Sequence, residues 1–287
     1  MRGEGRASIR IDHVTLAAAE LEPARRRFAE LGFSTDYGGA HSNGVTHMAL
    51  LGFDDGSYLE LISTLEPGAP SPLWEGQIRD NAGPAAWAVA VDGLAREQER
   101  LAGAGVATRG PVPMTRARPD GISLEWELLF PGDGPPGGTL PFAIRDRTPR
   151  NLRVKPSESV SGGEIAGVAQ VVIGVRDIEP TAALFRRVYQ WSEPVVSENP
   201  GLGARVAAFQ GTPVVLAEPA APSSWLAERL SRYGECPAAF LLAASGPKRT
   251  TGRLPLLPPE PWFAGELAWI DPGRLFGWRI GLLFGSR

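Results

Sequence analysis

Residues 11–28, IDHVTLAAAELEPARRRF, align without a gap on residues 168–185, VAQVVIGVRDIEPTAALF, at a constant offset of 157. Each copy carries an apolar, β-branched run, an acidic turn, a Glu-Pro pair that opens a helix and a Phe on that helix's apolar face. The β-branched run reads as a strand, and apolar residues at 3.6-residue spacing read as an amphipathic helix. Strand and helix are therefore specified twice in the same order, and repetition of this kind fixes an architecture before local detail does.

The repeat extends outward from this core. APS at Ala69 recurs at Ala221, and PAAW at Pro84 recurs as PAAF at Pro237, so four modules follow. Module 1 predicts a strand at 11–17, a helix at 21–31 and strands at 33–38, 45–53 and 57–63. Leu21, Ala24, Phe28 and Leu31 share one helical face, Pro23 sits in the first turn, and Gly32 is the C-terminal stop. Asp54-Asp55-Gly56 supplies a hairpin turn. Module 2 predicts a strand at 86–92, a helix at 94–104 closed by Gly105, and strands at 106–112, 121–130 and 139–145. Its helix superposes on the first at an offset of 73, pairing Leu94 with Leu21, Leu101 with Phe28 and Gly105 with Gly32. Module 3 spans 165–218, and module 4 spans 236–285 with its helix replaced by the Pro-rich LPLLPPEPW.

The expected organisation is two domains, residues 1–150 and 151–287, joined by the polar stretch from Arg147 to Gly163. A net charge of −3 gives no electrostatic bias toward nucleic acid or anionic membrane, and neither is expected as a partner. The single cysteine, Cys236, excludes an internal disulfide and a Cys-based zinc site, and reads as a buried structural thiol. No signal-peptide core and no apolar stretch of about 20 residues is present, so a cytoplasmic location is expected. GxSxG and a phosphate loop ending in GK[ST] are missing, and the one GxGxxG string, GDGPPG at 132–137, belongs to the Pro-rich PGDGPPGG stretch that reads as a surface hairpin loop, which disfavours serine hydrolases and typical nucleotide-binding folds.

The strings IDHVTLAAAEL, GGAHSNGVTHMALLGFDDGSYLELI, RARPDGISLEWELLF and LPFAI together resemble the glyoxalase-like domain of the vicinal oxygen chelate superfamily. The resemblance is dense over residues 11–150 and reaches the second half through the internal repeat. It implies an α+β fold in which tandem βαβββ modules form two cupped half-barrels of mixed β-sheet. That superfamily includes glyoxalases, epimerases, extradiol dioxygenases, thiol transferases and metal-free drug-binding proteins, so fold constrains function weakly.

Strand alternation places Ile11, His13 and Thr15 on one face and Val14 and Leu16 on the other, beneath the helix. In SYLELIS, Tyr58, Glu60 and Ile62 take the concave side while Leu59 and Leu61 pack on the helix. The resemblance implies metal ligands at His13 and Glu60, which are also the expected catalytic residues, and a divalent metal as cofactor. Module 2 offers no matching pair: Ala86 stands at the His13 position, with Trp87 beside it, and Phe142 at the Glu60 position. In module 3 Gln170 occupies the His13 position, Glu60 falls against Val215 or Leu216, and Glu218 is close by. No half-barrel displays a complete ligand set, and an iron site of the extradiol type cannot be assembled in the second one.

Three readings of His13 and Glu60 therefore stay open: a metal site, a hydrogen-bonded core histidine with Glu60 paired to an Arg, and a metal-free pocket. His41, in a glycine-rich loop, reads as a pocket-mouth residue or a solvated turn, and His47 as a sheet histidine. Arg116 and Arg118 form either an anion clamp at the cup rim or local pairs beside an Asp120-Gly121 turn. The expected ligand contacts are His41, Tyr58, Trp87, Arg116, Arg118, Trp126 and Phe142. The two functions that follow are a glyoxalase-like lyase or isomerase acting on a small carbonyl compound, and a small-molecule binding or sequestering protein with an aromatic-lined cup. The expected partners are a small-molecule ligand and a second copy of the chain in a homodimer.

Overall fold

The sequence offsets become two eight-stranded sheets, one from each half of the chain. The structure, a computed structural model, describes residues 9–118, 120–245 and 254–285. Module 1 comprises β1 (Arg10–Ala17), α1 (Leu21–Glu30), β2 (Asp36–Ala40), β3 (Thr46–Gly52) and β4 (Tyr58–Thr64). A short helix α2 (Glu75–Arg79) leads to module 2, with β5 (Gly83–Ala90), α3 (Leu94–Gly103), β6 (Thr108–Ala117), β7 (Ser123–Pro131) and β8 (Phe142–Asp146). After α4 (Arg150–Arg153), module 3 contributes β9 (Ile165–Gly174), α5 (Ile178–Tyr189), β10 (Val195–Asn199), β11 (Ala204–Ala208) and β12 (Val214–Pro219). Helix α6 (Trp225–Tyr233) precedes module 4, with β13 (Cys236–Ala244), β14 (Glu260–Trp262), β15 (Gly265–Trp269) and β16 (Ile280–Phe284).

The strand orders are β2-β3-β4-β1-β5-β8-β7-β6 and β10-β11-β12-β9-β13-β16-β15-β14. First and last strands of a module run parallel, as β1 with β4 and β5 with β8, and the modules of a sheet join through an antiparallel pair such as β1 with β5. This is the mixed-sheet α+β arrangement of tandem βαβββ modules. Helices α1 and α3 stop where the glycines predict, with Gly32 at φ +84 and Gly105 at φ +73, a backbone region that costs glycine little.

Several elements differ from the periodicity reading. The strand expected at 33–38 begins only at Asp36, because Phe33 donates back to the Phe28 carbonyl at 2.9 Å and tucks into the core. Helices α2 and α4, of five and four residues, are too short to show a period; α6, with nine residues, its Ser224 cap and Leu226 and Leu230 on one face, is an element that the four-module reading does not include. Between β13 and β14 residues 254–259 carry no helix, and residues 246–253, which hold the rest of the connection read as helix-free, fall outside the described residues.

The helix-bearing faces of the two sheets share one continuous core. Phe28 of α1, Leu101 of α3 and Phe185 of α5 belong to the same buried cluster as Trp87 and Val89 of β5 and Phe240 and Leu242 of β13. Gly83 allows the Trp278 indole to lie against the backbone, where a Cβ would collide with the ring. Trp87, expected beside the cup, is 0 % exposed in this core, and its Nε1 donates to the Thr139 carbonyl at 3.3 Å. Alternation in β5 is the reason: Ala86 and Ala88 face the cup, and Trp87 and Val89 face the helices. Cys236 is buried, and burial pushes its thiol pKa up. No helix of the described residues is long and apolar enough to cross a membrane.

The two cups differ in filling. In the second, Trp262 and Trp269 pack with Leu202, Val206, Val215 and Leu241, and Gln170 accepts a hydrogen bond from Trp262 Nε1 at 2.8 Å. Strand register settles the open alignment: Val215 lies opposite Val172 as Glu60 lies opposite Thr15, so Val215 is the Glu60 counterpart. Glu218 instead accepts from the Ile178 amide at 2.9 Å, at the start of α5.

Candidate functional site

Alternation fails once in β1, and the failure builds the site. The β1–β5 register shifts between Ile11 and His13, making Asp12 a bulged residue. Ile11, expected in the cup, thereby joins Val14 and Leu16 in the core, while His13 and Thr15 keep the concave side. Asp12 is 0 % exposed, and its Oδ1 lies 2.7 Å from His13 Nδ1.

A buried carboxylate needs cationic partners, and α4 delivers them. Arg153 donates to both Asp12 carboxylate oxygens at 3.0 Å, to Asp146 Oδ1 at 2.6 Å and to the Tyr58 hydroxyl at 2.7 Å. Arg150 also bonds to Asp12 and to the Gly56 carbonyl. The stretch read as a plain linker thus reaches across to the first strand. Burial alone would raise the Asp12 pKa, but Arg153 and the His13 hydrogen bond outweigh it and hold the carboxyl well below the usual range. Burial raises the Tyr58 pKa, so the phenol is neutral at physiological pH.

On the neighbouring strand β4, Glu60 accepts from Thr15 Oγ1 at 3.0 Å, and its Oε1 lies 3.6 Å from His41 Nε2. His41 is held by a 2.8 Å hydrogen bond between Nδ1 and Thr46 Oγ1. Burial disfavours the Glu60 carboxylate, yet His41, His13 and Thr15 together draw its pKa down to about 2. The His13 ring stacks on Tyr58 with centroids 4.7 Å apart and meets the Phe142 edge at 5.4 Å.

These groups enclose about 90 Å³ of free space. His13, His41, Tyr58, Glu60, Arg116 and Arg153 form its polar part, and Trp74, Met114, Trp126, Leu128, Phe142 and Ile144 form apolar walls. Arg116 is 5 % exposed; Nη2 donates to the Arg153 carbonyl at 3.1 Å, Nη1 meets Met48 Sδ at 3.2 Å, and Nε has no partner. It makes no ion pair with a carboxylate of the described residues. An outer cavity of about 460 Å³ adjoins, sharing Arg116, Arg153 and Leu50 and adding Arg118 and Lys155. Arg118 lies in that outer space, bonded to the Leu152 carbonyl at 2.9 Å and paired with Asp120. His47 contacts Tyr37, ring centroids 5.9 Å apart, and does not line the inner cavity.

The structure therefore gathers His13, His41, Tyr58, Glu60, Arg116, Trp126 and Phe142 around one cavity, puts Arg118 outside it and Trp87 behind the sheet. Asp12, Arg150, Arg153, Trp74 and Met114 escaped the sequence reading. One signal was available for Asp12: strict alternation would have left its carboxylate under a helix among aliphatics, a placement that demands a bulge or a partner.

Because Glu60 and Asp12 both have lowered pKa values in the fold, their stabilisation is complete above the unfolded carboxyl range and is lost as pH falls below it. Stability is expected to drop between about pH 4 and pH 2, and Glu60→Gln should flatten part of that slope in denaturation series. An unchanged slope in the variant would contradict the assigned Glu60 environment.

A divalent metal is implied by the family resemblance, and the residues present do not fit one. No group of three or more His, Cys, Asp or Glu side chains among the described residues can hold a metal ion. The module 2 positions are Ala86 and Phe142, His13 Nδ1 is taken by Asp12, and two guanidinium groups line the same space.

Paired βαβββ modules wound into a cup define the vicinal oxygen chelate fold. The glyoxalase-like domain family matches residues 11–189, and the chain belongs to that family. A search of the curated proteins found no match. Among solved structures, a protein of Staphylococcus aureus described as hypothetical is 13 % identical, with 96 % of this chain and 100 % of that one covered at a TM-score of 0.62. It supports the two-sheet fold alone. Methylmalonyl-CoA epimerase from Mycobacterium tuberculosis is 20 % identical over 43 % of this chain and 91 % of that one, with a TM-score of 0.37. The Streptomyces coelicolor methylmalonyl-CoA epimerase is 16 % identical over 43 % of this chain and 99 % of that one, at 0.36. Neither of these two overlaps is close enough to carry an argument about this chain.

Proposed function

We propose that the amino-terminal cup is a proton-transfer site for a small carbonyl compound, of the glyoxalase-like lyase or isomerase kind, with His13 as its acid–base group. The observation that carries this reading is the Asp12–His13 hydrogen bond. Asp12, kept ionised by Arg153, holds a proton on His13 Nδ1 and leaves Nε2 as the nitrogen free to exchange a proton with a ligand. Glu60, at about 2, is a weak base suited to accepting a hydrogen bond, which leaves the acid–base role to His13 Nε2. Glu60 then orients a ligand hydroxyl, and Tyr58 supplies a neutral phenol. The packed second cup serves as structural support.

The experiment is deuterium exchange by NMR, incubating the protein in D2O with a panel of small α-hydroxy ketones and aldehydes. Exchange at carbon next to the carbonyl is expected, reduced by at least 100-fold in His13→Gln. Binding without exchange by any panel member would replace this reading with the sequestering one, which the apolar Ala86 and Phe142 favour. Since the donor set is incomplete, protein purified without chelators should contain far less than one divalent metal per chain. One equivalent of manganese, nickel, zinc or iron that disappears in His13→Ala would overturn the metal-independent form of the proposal.

A further inference from the structure

Arg116 is the buried cation that the proton-transfer reading leaves unused. A guanidinium offers five N–H donors, and burying it without a counter-charge is unfavourable. The contrast with Arg153 is direct: Arg153 is equally buried but meets two aspartates, whereas Arg116 has one carbonyl oxygen and one thioether sulfur, the latter a weak acceptor. Burial accordingly lowers the Arg116 pKa, with Tyr58 and Glu60 only partly offsetting it. The arrangement is not simple crowding, because Gly38 clears space for it: a Cβ at Gly38 would stand 2.7 Å from Arg116 Nη1 and 2.8 Å from Met48 Sδ. Beside the guanidinium lie the apolar walls of Trp126, Phe142 and Met114.

We infer that the ligand of the cup is a small monocarboxylate whose carboxyl group binds Arg116 and whose apolar body lies against Trp126 and Phe142. This names the substrate class for the proposed site and rests on that reading for the chemistry, though not for the binding. The carboxylate supplies the counter-charge that the fold omits, and its planar pair of oxygens matches the guanidinium fork. Free space of about 90 Å³, below the roughly 150 Å³ of an apolar cavity that holds benzene, limits the body to a small ring or a short branched chain. Glu60 stands on the same cup without pairing to Arg116, so it repels a second acidic group and favours a single charge.

The test is calorimetric titration of the full chain with benzoate and isobutyrate against their uncharged amides, benzamide and isobutyramide. At least one acid should bind at least 10-fold more tightly than its amide, and Arg116→Met should remove that preference while Arg116→Lys retains part of it. A thermal melt of Arg116→Met guards against misfolding; the melting temperature should equal or exceed that of the parent, since an unpaired buried charge is removed. Equal binding of acid and amide, absence of binding by both acids, or an acid preference that survives in Arg116→Met would each overturn the inference. The two proposals fail separately: acid binding without His13-dependent exchange leaves this one standing and removes proton transfer, and exchange of neutral carbonyl compounds without acid binding does the reverse.

Discussion

Replacing Arg153 by methionine is expected to cost the fold about 3–5 kcal/mol, the range for removing one partner of a buried ion pair. Asp12 is wholly enclosed, and the remaining partner, Arg150, sits partly in solvent. Without Arg153, Asp12 and Asp146 share only the partly exposed Arg150, and the Tyr58 hydroxyl loses its donor. Urea denaturation at neutral pH measures the loss directly. Adding Asp12→Asn should recover a substantial part, because the second change removes the stranded charge and the two sites share one network. A loss below about 1 kcal/mol for Arg153→Met would show that Asp12 is solvated or otherwise paired, and the oriented His13 would lose its support.

Truncation of Trp87 to alanine should be comparably damaging, at about 3–5 kcal/mol, because a large cavity opens where the two sheets meet. The effect should be on stability alone. Trp87 lines neither cavity, so Trp87→Phe, which keeps most of the volume, is expected to bind benzoate as the parent does. Urea denaturation checks the first expectation and calorimetry the second. Weakened benzoate binding by more than a few-fold in a well-folded Trp87→Phe would return this side chain to the cup.

The contrast between Trp87 and Phe142 shows where sequence reading succeeded. Phe142 was placed by repeat alignment against Glu60, and strand register agrees, with Ala88 beside Phe142 as Thr15 is beside Glu60. Trp87 was placed by proximity to Ala86 in the chain, and neighbours in a strand point to opposite faces. Helices α2 and α4 span five and four residues, too short for a 3.6-residue period to register, so the arginines of α4 passed as linker charge.

What the sequence by itself determined is the modular plan: strand and helix order, helix stops at Gly32 and Gly105, and a concave strand face bearing Glu60. Those features are local, set by side-chain period and by glycine's access to positive φ, so a linear reading recovers them. The tertiary structure alone decided the rest. Asp12 and Arg153 lie 141 residues apart, and nothing in either neighbourhood announces the other. The bulge that turns Asp12 toward Arg153 arises from pairing of β1 with β5, the filling of the second cup from tryptophans at its far edge, and the unpaired state of buried Arg116 from the lack of a carboxylate within reach of it among the described residues. Each depends on which distant groups share a volume, a quantity fixed only when the whole chain has packed.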